Sequence, residues 1–260
     1  MQKNNLKVSV VQSPLYWEDI DSNIKMFSEK LDKLKEKTDL IVLPEMFTTG
    51  FTMNVKKCAE TMDGKAAAFL KKYAKKLNAH ICGSVIIKSG NKFYNRLILS
   101  PPKGEIKFYD KRHLFRMAKE NKVYSEGKKH LVVEIKNWKV AFFICYDLRF
   151  PVWSRNTGKY DAAVYSSNWP KERNYYWKTL LLARAIENQC YVIGANRTGK
   201  DGNGFEFAGD SAVINPYGKY ICDAKSKSGI FTTELDFGML EKFRERFPVW
   251  KDADKFKIVL

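Results

Sequence analysis

A run of almost uninterrupted apolar residues, DLIVLPE at 39–45, constrains the fold more than any other feature of the sequence. A strand with apolar side chains on both faces is typical of a mostly parallel sheet that is covered on both sides. Segments with helical spacing flank this run near 20–37 and 64–77, and further strand-like runs lie at 7–12 and 81–88. The alternation predicts an α/β protein.

The pattern changes after this first part of the chain and is then repeated. FYNRLILS (93–100), a Pro-Pro-Lys-Gly turn and EIKFYDK (105–111) indicate a hairpin. The following runs are LVVEI, WKVAFFIC, a short helix after Pro151, DAAVYSS (161–167), a long helix at 173–189, CYVIGANR and AGDSAVINP. Two sheets, each covered by helices, fit this order better than a barrel of eight regular βα units.

The length of 260 residues and the hydrophobic content of 45% are sufficient for one large core. Prolines and glycines are scattered rather than gathered into a linker, so we expect a single domain over 1–260, with its core at about 6–236 and a C-terminal extension at 237–260. The sequence shows no apolar signal segment and no run of about 18 apolar residues. We therefore expect a soluble, cytoplasmic protein without membrane association.

Charge and cysteine content exclude several classes of site. The formal net charge of +17 could attract nucleic acid, but the lysines are spread along the chain and no zinc finger or RNA-binding aromatic motif occurs. We expect no nucleic-acid partner, and help in attracting small anionic substrates is a weaker possibility. The five cysteines are odd in number and lack CxxC spacing, which predicts reduced thiols and no zinc site.

Three polar residues, Glu45, Lys111 and Cys145, stand where strand-like runs end. Ligands bind at the carboxyl ends of strands in open α/β sheets, so these side chains could converge. A thiol attacks a carbonyl carbon, a carboxylate carries its proton to the leaving amine, and an ammonium stabilises the oxyanion and lowers the thiol pKa. Taken singly, each has a plainer interpretation as a core thiol, a helix or turn cap, or a surface lysine.

Six longer segments occur in order across most of the chain: IVLPEMFTTGF, YDKRHLF, ICYDLRFPVWSRN, SSNWP, LLARAIENQCYVIGANR and GDSAVINPYG. Together they resemble the nitrilase-like carbon–nitrogen hydrolase superfamily over about residues 6–236. The resemblance implies a four-layer α-β-β-α sandwich and a Glu-Lys-Cys triad at Glu45, Lys111 and Cys145. It also implies no metal or organic cofactor and a homodimer.

Finer details resemble the bacterial ω-amidase branch, whose members hydrolyse α-keto acid amides of the 2-oxoglutaramate type. MFTTGFTMN, RHLFRMAKENKVY and RFPVWSRN carry this likeness, including Val152, where many superfamily members have Glu. Glu120 falls at the family's second glutamate, which positions substrate or assists the base; a solvated loop carboxylate is the plainer interpretation. Asn121 departs from the His expected in this branch. The implied substrates are 2-oxoglutaramate and 2-oxosuccinamate.

The resemblance also implies a mechanism. Glu45 acts as general base and then general acid while Cys145 forms a thioester with loss of ammonia. Glu45 next activates water, with Glu120 assisting. Lys111 and the backbone N–H of Tyr146 form the oxyanion site.

Other conspicuous residues divide between substrate contact and structure. Arg173 is a candidate for gripping a substrate carboxylate, with a surface helix start as its alternative, and Trp169 is a candidate for lining the pocket. The plainer expectation for the aromatic residues Phe51, Trp169 and Tyr176 is a position in the core. Two pairs are expected to be structural ion pairs, namely Asp147 with Arg149 in the loop after Cys145, and Arg184 with Glu187 on a helix.

Three alternative functions stay open at this point. A cysteine–histidine hydrolase has only His80, His113 and His130 to draw on, and no Asn- or Asp-oriented histidine is apparent in the sequence. An enzyme with the same triad could act on an N-carbamoyl amino acid, another amide or a nitrile. A non-catalytic basic binding protein would use the fold as a scaffold and have an inert Cys145.

Overall fold

The computed structural model describes residues 4–260. Its helices are α1 (Ile20–Asp32), α2 (Val55–Cys58), α3 (Lys65–Leu77), α4 (Glu120–Val123), α5 (Asn174–Glu187) and α6 (Phe237–Arg246). Its strands are β1 (Leu6–Gln12), β2 (Leu40–Val42), β3 (His80–Ser89), β4 (Lys92–Ser100), β5 (Lys107–Asp110), β6 (Leu131–Ile135), β7 (Trp138–Ile144), β8 (Ala162–Ser166), β9 (Tyr191–Ala195), β10 (Thr198–Lys200), β11 (Glu206–Ala208), β12 (Ala212–Ile214), β13 (Tyr220–Asp223) and β14 (Gly229–Leu235).

Two six-stranded sheets have a similar strand arrangement, with three parallel strands in each. The first has the order β14-β1-β2-β3-β4-β5, in which β1, β2 and β3 are parallel and the other pairings are antiparallel. The second has the order β13-β12-β9-β8-β7-β6, with β7, β8 and β9 parallel. The parallel strands of each sheet therefore end at one edge, where loops can carry functional groups.

The two sheets pack face to face between layers of helices. One buried cluster contains Val10 and Leu97 of the first sheet together with Phe142 and Val164 of the second. Helices α1 and α3 bury apolar side chains against the outer face of the first sheet, and α5 packs on the second. The predicted α-β-β-α sandwich is confirmed.

Two predicted elements are shorter than expected. Helix α1 ends at Asp32 rather than near residue 37, because the polar sequence after Leu34 offers no apolar face to bury. The strand expected at 39–45 is reduced to Leu40–Val42, and Pro44, which has no N–H to donate, prevents its extension.

The predicted short helix after Pro151 is wrong. A 3₁₀ helix instead precedes this proline, at Cys145–Arg149, and residues 151–154 form turns. The helix can form there because the Asp147 side chain accepts a hydrogen bond from the N–H of Ile144 and caps its start. Within residues 4–260, no helix is long and apolar enough to cross a membrane.

Candidate active site

The carboxyl ends of β2, β7 and β8 meet where the two sheets adjoin. The Ser166 hydroxyl donates to the Leu43 carbonyl at 2.8 Å, and the Glu45 N–H donates to the Ser167 carbonyl at 3.3 Å. These bonds join the loop that carries Glu45 to the loop after β8. Cys145 directly follows β7, so a carboxylate from one sheet and a thiol from the other reach the same place.

Cys145 lies at a sharp turn from a strand into a helix. Its φ of 42° is in the left-handed region, which is costly for a residue with a side chain and is often found at functional sites. The residue is 9% exposed, and its Sγ lies 3.9 Å from the backbone carbonyl oxygen of Asn168. The turn places the thiol at the carboxyl end of the second sheet, at the margin of the buried cluster between the sheets, and nucleophiles occupy a comparable position in α/β hydrolases.

Lys111 joins two buried carboxylates. Its Nζ donates to Glu45 Oε1 at 2.8 Å and to both carboxylate oxygens of Glu120, at 3.1 and 3.0 Å. All three residues are at most 1% exposed. The solvated-loop interpretation of Glu120 is therefore wrong. Across residues 4–260, no group of three or more His, Cys, Asp or Glu residues could hold a metal ion.

Two asparagines that the sequence interpretation did not single out complete the cluster. The Asn95 side-chain amide donates to Glu45 Oε1 at 2.8 Å and to Glu120 Oε1 at 3.1 Å. The Asn168 N–H donates to Glu45 Oε2 at 3.0 Å, and its side chain donates to the Glu45 carbonyl. Asn95 alternates with Phe93, Leu97 and Leu99 in β4, and a polar residue at such a position was the available signal; the SSNWP segment was the signal for Asn168.

Burial and charge set the protonation states of the cluster. Burial acts to lower the pKa of Lys111, but the Glu120 and Glu45 carboxylates outweigh it and the pKa is raised, so the ammonium is retained. Burial raises the pKa of Glu120. Lys111 acts to lower this pKa, and the negative charge of Glu45 acts to raise it further. Two carboxylates thus compete for one ammonium.

The net pKa shift of the Cys145 thiol is upward, although Lys111 was expected to lower this pKa. Burial raises this pKa well above its ordinary value, and the negative charge of Glu45 raises it further. Lys111 does act to lower it, as expected, but is outweighed. The resting thiol is therefore protonated and needs a base.

The predicted binding residues lie around the mouth of this cluster. The Tyr146 ring packs edge-on against Phe115, at 5.0 Å between centroids, and the Arg173 guanidinium lies 5.3 Å from the centre of the same Phe115 ring. Trp169 is buried, and its indole N–H donates to the Arg173 carbonyl at 2.8 Å. Phe51 is partly buried and lies over Lys111, 5.1 Å from Nζ, so it belongs to the wall of the site rather than to the core.

Arg149 is a site residue that the sequence interpretation assigned to structure. Its guanidinium lies 5.2 Å from the Trp169 ring and 5.0 Å from the Tyr176 ring. The expected ion pair with Asp147 is wrong, because Asp147 points instead to Tyr109 and His113. Tyr176 is 49% exposed, so its expected core position is also wrong. Among residues 4–260, the arginines in ion pairs with acidic side chains are others, and neither Arg149 nor Arg173 has an acidic partner within 4.0 Å.

Asp147 is a buried hub of hydrogen bonds. It accepts from the Tyr109 hydroxyl at 2.7 Å, and from both the backbone N–H and the Nδ1 of His113 at 2.9 and 2.8 Å. His113 is thus an Asp-oriented histidine, which the sequence did not reveal. Its ring stacks on Phe150 with centroids 3.7 Å apart. The expected pairing of Arg184 with Glu187 is confirmed, at 2.9 Å.

Comparisons with known proteins agree with this geometry. The chain matches the family model described as carbon-nitrogen hydrolase over residues 7–245. It is 45% identical to the ω-amidase YafV of Escherichia coli K12, across 97% of this chain and 98% of that protein. It is 36% identical to the 2-oxoglutaramate amidase of Bacillus subtilis 168, across 95% and 97% of the two chains.

Solved structures give the same assignment. XC1258 from Xanthomonas campestris, a CN-hydrolase superfamily protein with an arsenic adduct in its active site, is 40% identical, with a TM-score of 0.96 and coverage of 98% and 100%. Nit3 of Saccharomyces cerevisiae, a member of the nitrilase superfamily, is 26% identical, with a TM-score of 0.83 and coverage of 94% and 95%. The prediction of a carbon–nitrogen hydrolase acting on amides is confirmed. This chain belongs to the carbon–nitrogen hydrolase family.

Proposed function

We propose that the protein is an ω-amidase that hydrolyses the terminal amide of short α-keto acids, 2-oxoglutaramate or 2-oxosuccinamate, to the keto acid and ammonia. The observation that carries this proposal is the buried cluster in which the Cys145 thiol, the Glu45 carboxylate and the Lys111 ammonium adjoin. Near full-length similarity to ω-amidases supports the substrate class.

In the first half-reaction, Glu45 removes the thiol proton as Cys145 Sγ forms a bond to the amide carbon. Lys111 Nζ and the Tyr146 backbone N–H stabilise the oxygen that becomes negative. Glu45 then gives its proton to the amide nitrogen, the carbon–nitrogen bond breaks, and ammonia leaves a thioester on Cys145. The raised thiol pKa explains why this route needs a carboxylate base.

In the second half-reaction, Glu45 takes a proton from a water molecule whose oxygen attacks the thioester carbon. The carbon–sulfur bond breaks, the thiol regains the proton, and the keto acid leaves. Glu120 assists by holding Lys111, through bonds of 3.1 and 3.0 Å, in place for both oxyanions. Glu120 also lies close enough to Glu45 for the charges of the two carboxylates to interact, and in this way it assists the base.

The rim of the cluster fits an anionic substrate. Arg173 over Phe115 and Arg149 over Trp169 present two guanidinium groups, and Arg is well suited to a carboxylate because it can donate two parallel hydrogen bonds. Tyr146 and Trp169 supply aromatic walls for the short carbon chain. A substrate with an amide at one end and a carboxylate at the other matches this arrangement.

Ammonia release from 2-oxoglutaramate tests the proposal. We expect hydrolysis by the wild type, none by Cys145→Ala, and full activity in Cys190→Ala. Cys190 is the matched control because it is also a buried thiol, with its pKa raised by burial to about 12, but its charged neighbours are Arg244, Asp161 and Glu187 rather than Glu45 and Lys111.

A panel with glutamine, an N-carbamoyl amino acid and a simple nitrile decides the substrate class. Preference for one of these over the keto amide would replace the proposed substrate and keep the triad. If no compound is hydrolysed and intact-mass measurement detects no acyl-enzyme on Cys145, the catalytic proposal is wrong.

A further inference from the structure

Asn95 places a polar side chain on the inner face of a sheet. It lies in β4, between β3 and β5, and is fully buried. Leu97 and Leu99, the next residues on the same face of the strand, belong to the apolar core between the sheets. A buried amide at such a position is unfavourable unless it forms hydrogen bonds, so its partners indicate what it does.

The partners of Asn95 are the proposed base, the second carboxylate and the lysine. Its Nδ2 donates to Glu45 Oε1 at 2.8 Å and to Glu120 Oε1 at 3.1 Å. Its backbone carbonyl accepts a hydrogen bond from the Lys111 N–H at 3.0 Å. One residue of β4 therefore contacts three charged residues from three separate segments, namely the loop after β2, the end of β5 and the start of α4.

We propose that Asn95 is a positioning residue for the hydrolysis, one that holds Glu45 and Glu120 together around Lys111 and fixes which oxygen of Glu45 serves as the base. The inference rests on the proposed function, in which Glu45 transfers the protons.

The hydrogen bonds to Glu45 show how this selection works. Lys111 and Asn95 both donate to Oε1, so this oxygen is held away from proton transfer. Oε2 accepts from the N–H of Asn168, whose backbone carbonyl lies 3.9 Å from Cys145 Sγ. We therefore take Oε2, which has a single hydrogen-bond donor, as the oxygen that receives the thiol proton. Rotation of the carboxylate would break three hydrogen bonds at once, those from Lys111, Asn95 and Asn168. A base must also stay within hydrogen-bonding distance of the proton that it removes.

Asn95 also allows the two carboxylates to share one ammonium. Two negative charges close together favour uptake of a proton, and a neutral donor that bonds to both opposes this effect. The charged and titratable groups that face Glu45 are Lys111, Glu120, Cys145 and Tyr124. Replacing the amide by a carboxylate adds a third negative charge to this set, so the ionised base would exist only at higher pH.

The test compares Asn95→Asp and Asn95→Ser with wild type and with Leu97→Ala, a control that removes core packing from the same face of the same strand. We measure kcat and KM for 2-oxoglutaramate as a function of pH. For Asn95→Asp we expect kcat to fall by about 100-fold, the range of a misplaced general base, while KM changes by less than about threefold. The acid limb of the profile should move to higher pH by about one unit or more. Asn95→Ser should shift in the same direction by less.

A second readout does not depend on the substrate. The rate of Cys145 alkylation by iodoacetamide, followed by intact mass against pH, should also move to higher pH in Asn95→Asp, because added negative charge disfavours the thiolate. If the wild type is inactive on the keto amide, the proposed function fails, but the alkylation profile still tests Asn95.

Unchanged kcat and unchanged pH profiles in Asn95→Asp would overturn the inference. So would an equal shift of the acid limb in Leu97→Ala, since the effect would then come from lost packing. If Asn95→Asp does not fold, Asn95→Ser provides the test. A kcat and a pH profile like those of the wild type in Asn95→Ser would then overturn the inference.

Discussion

At Cys145, the carboxylate that we propose as the base also helps to raise the pKa of the thiol. Burial and the negative charge of Glu45 raise the thiol pKa, and Lys111 acts in the opposite direction. Replacing Glu45 by Gln removes one raising cause and leaves Lys111 less opposed. We therefore expect Glu45→Gln to shift alkylation of Cys145 by iodoacetamide to lower pH, while amide hydrolysis falls by about 100-fold or more because no group carries the proton to the leaving nitrogen.

Intact-mass measurement over a pH series checks this prediction, with Cys145→Ala to identify the labelled site. Alkylation that moves to higher pH in Glu45→Gln would contradict the assigned electrostatics. Retained hydrolysis would contradict the role of Glu45 as base.

The two rim arginines make a separate prediction about specificity. Arg149 lies over Trp169 and Tyr176 without an acidic partner among residues 4–260, so a substrate carboxylate can take its hydrogen bonds. We expect Arg149→Gln to lower kcat/KM for glutaric acid monoamide by about 10- to 100-fold, the value of a hydrogen bond to a charged group. Valeramide, which has the same five-carbon chain with a methyl group in place of the carboxylate, is the control. An equal loss on both amides would mean that Arg149 supports the fold.

At the scale of elements, the 3₁₀ helix after β7 is held by Asp147. This carboxylate accepts hydrogen bonds from Ile144 at its start and from Tyr109 and His113, which flank Lys111 in the chain. Asp147→Asn should lower kcat and the unfolding free energy, the latter by about 1–3 kcal/mol, because an amide cannot accept from all these donors and leaves a buried donor without a partner. His113→Ala should retain acylation, since Asp147 keeps its bonds to Tyr109 and Ile144.

Enzyme kinetics and urea unfolding measure both variants. Complete loss of acylation in His113→Ala, together with an active Glu45→Gln, would reverse the assignment in favour of a cysteine–histidine hydrolase.

The polar residues at the ends of strands could be predicted from the sequence, but the side-chain contacts made by residues within the strands could not. Apolar runs that stop at Glu45 and Cys145 place each residue beyond the carboxyl end of a strand, but the sequence does not show that these two strands belong to different, facing sheets. In the sequence, Asn95 is only a polar residue among apolar ones on one face of β4. Its role depends on hydrogen bonds to Glu45 and Glu120, which come from distant segments of the chain. The net shift of the Cys145 thiol pKa could not be predicted for the same reason. The sequence shows that Lys111 can lie near Cys145, but not how deeply these two residues are buried.

Across the whole molecule, the site is assembled from both halves of the chain. Glu45 and Lys111 follow strands of the first sheet, whereas Cys145 and Asn168 follow strands of the second. The cluster therefore exists only when the sheets are packed against each other. Conditions that weaken this packing should reduce activity before any residue of the cluster changes its own chemistry.

His130 links the stability of this assembly to pH. Its ring stacks on Trp153, with centroids 3.9 Å apart, and Nε2 lies 2.7 Å from the Trp153 carbonyl. Burial lowers the pKa of His130, so the unfolded chain binds its proton more readily than the folded protein. This contribution to stability is present above the unfolded pKa of about 6.5 and is lost as the pH falls through the folded value.

We predict that His130→Phe, which keeps the stacking but cannot titrate, loses less unfolding free energy than wild type between pH 7.5 and pH 5. Burial raises the pKa values of Glu120 and Glu60, and these groups act in the opposite direction because the folded state holds their protons. The total slope is a sum of both effects, so the difference between variant and wild type is the informative quantity. Urea titrations at each pH measure it, and parallel curves for the two proteins would show that His130 does not couple protonation to folding.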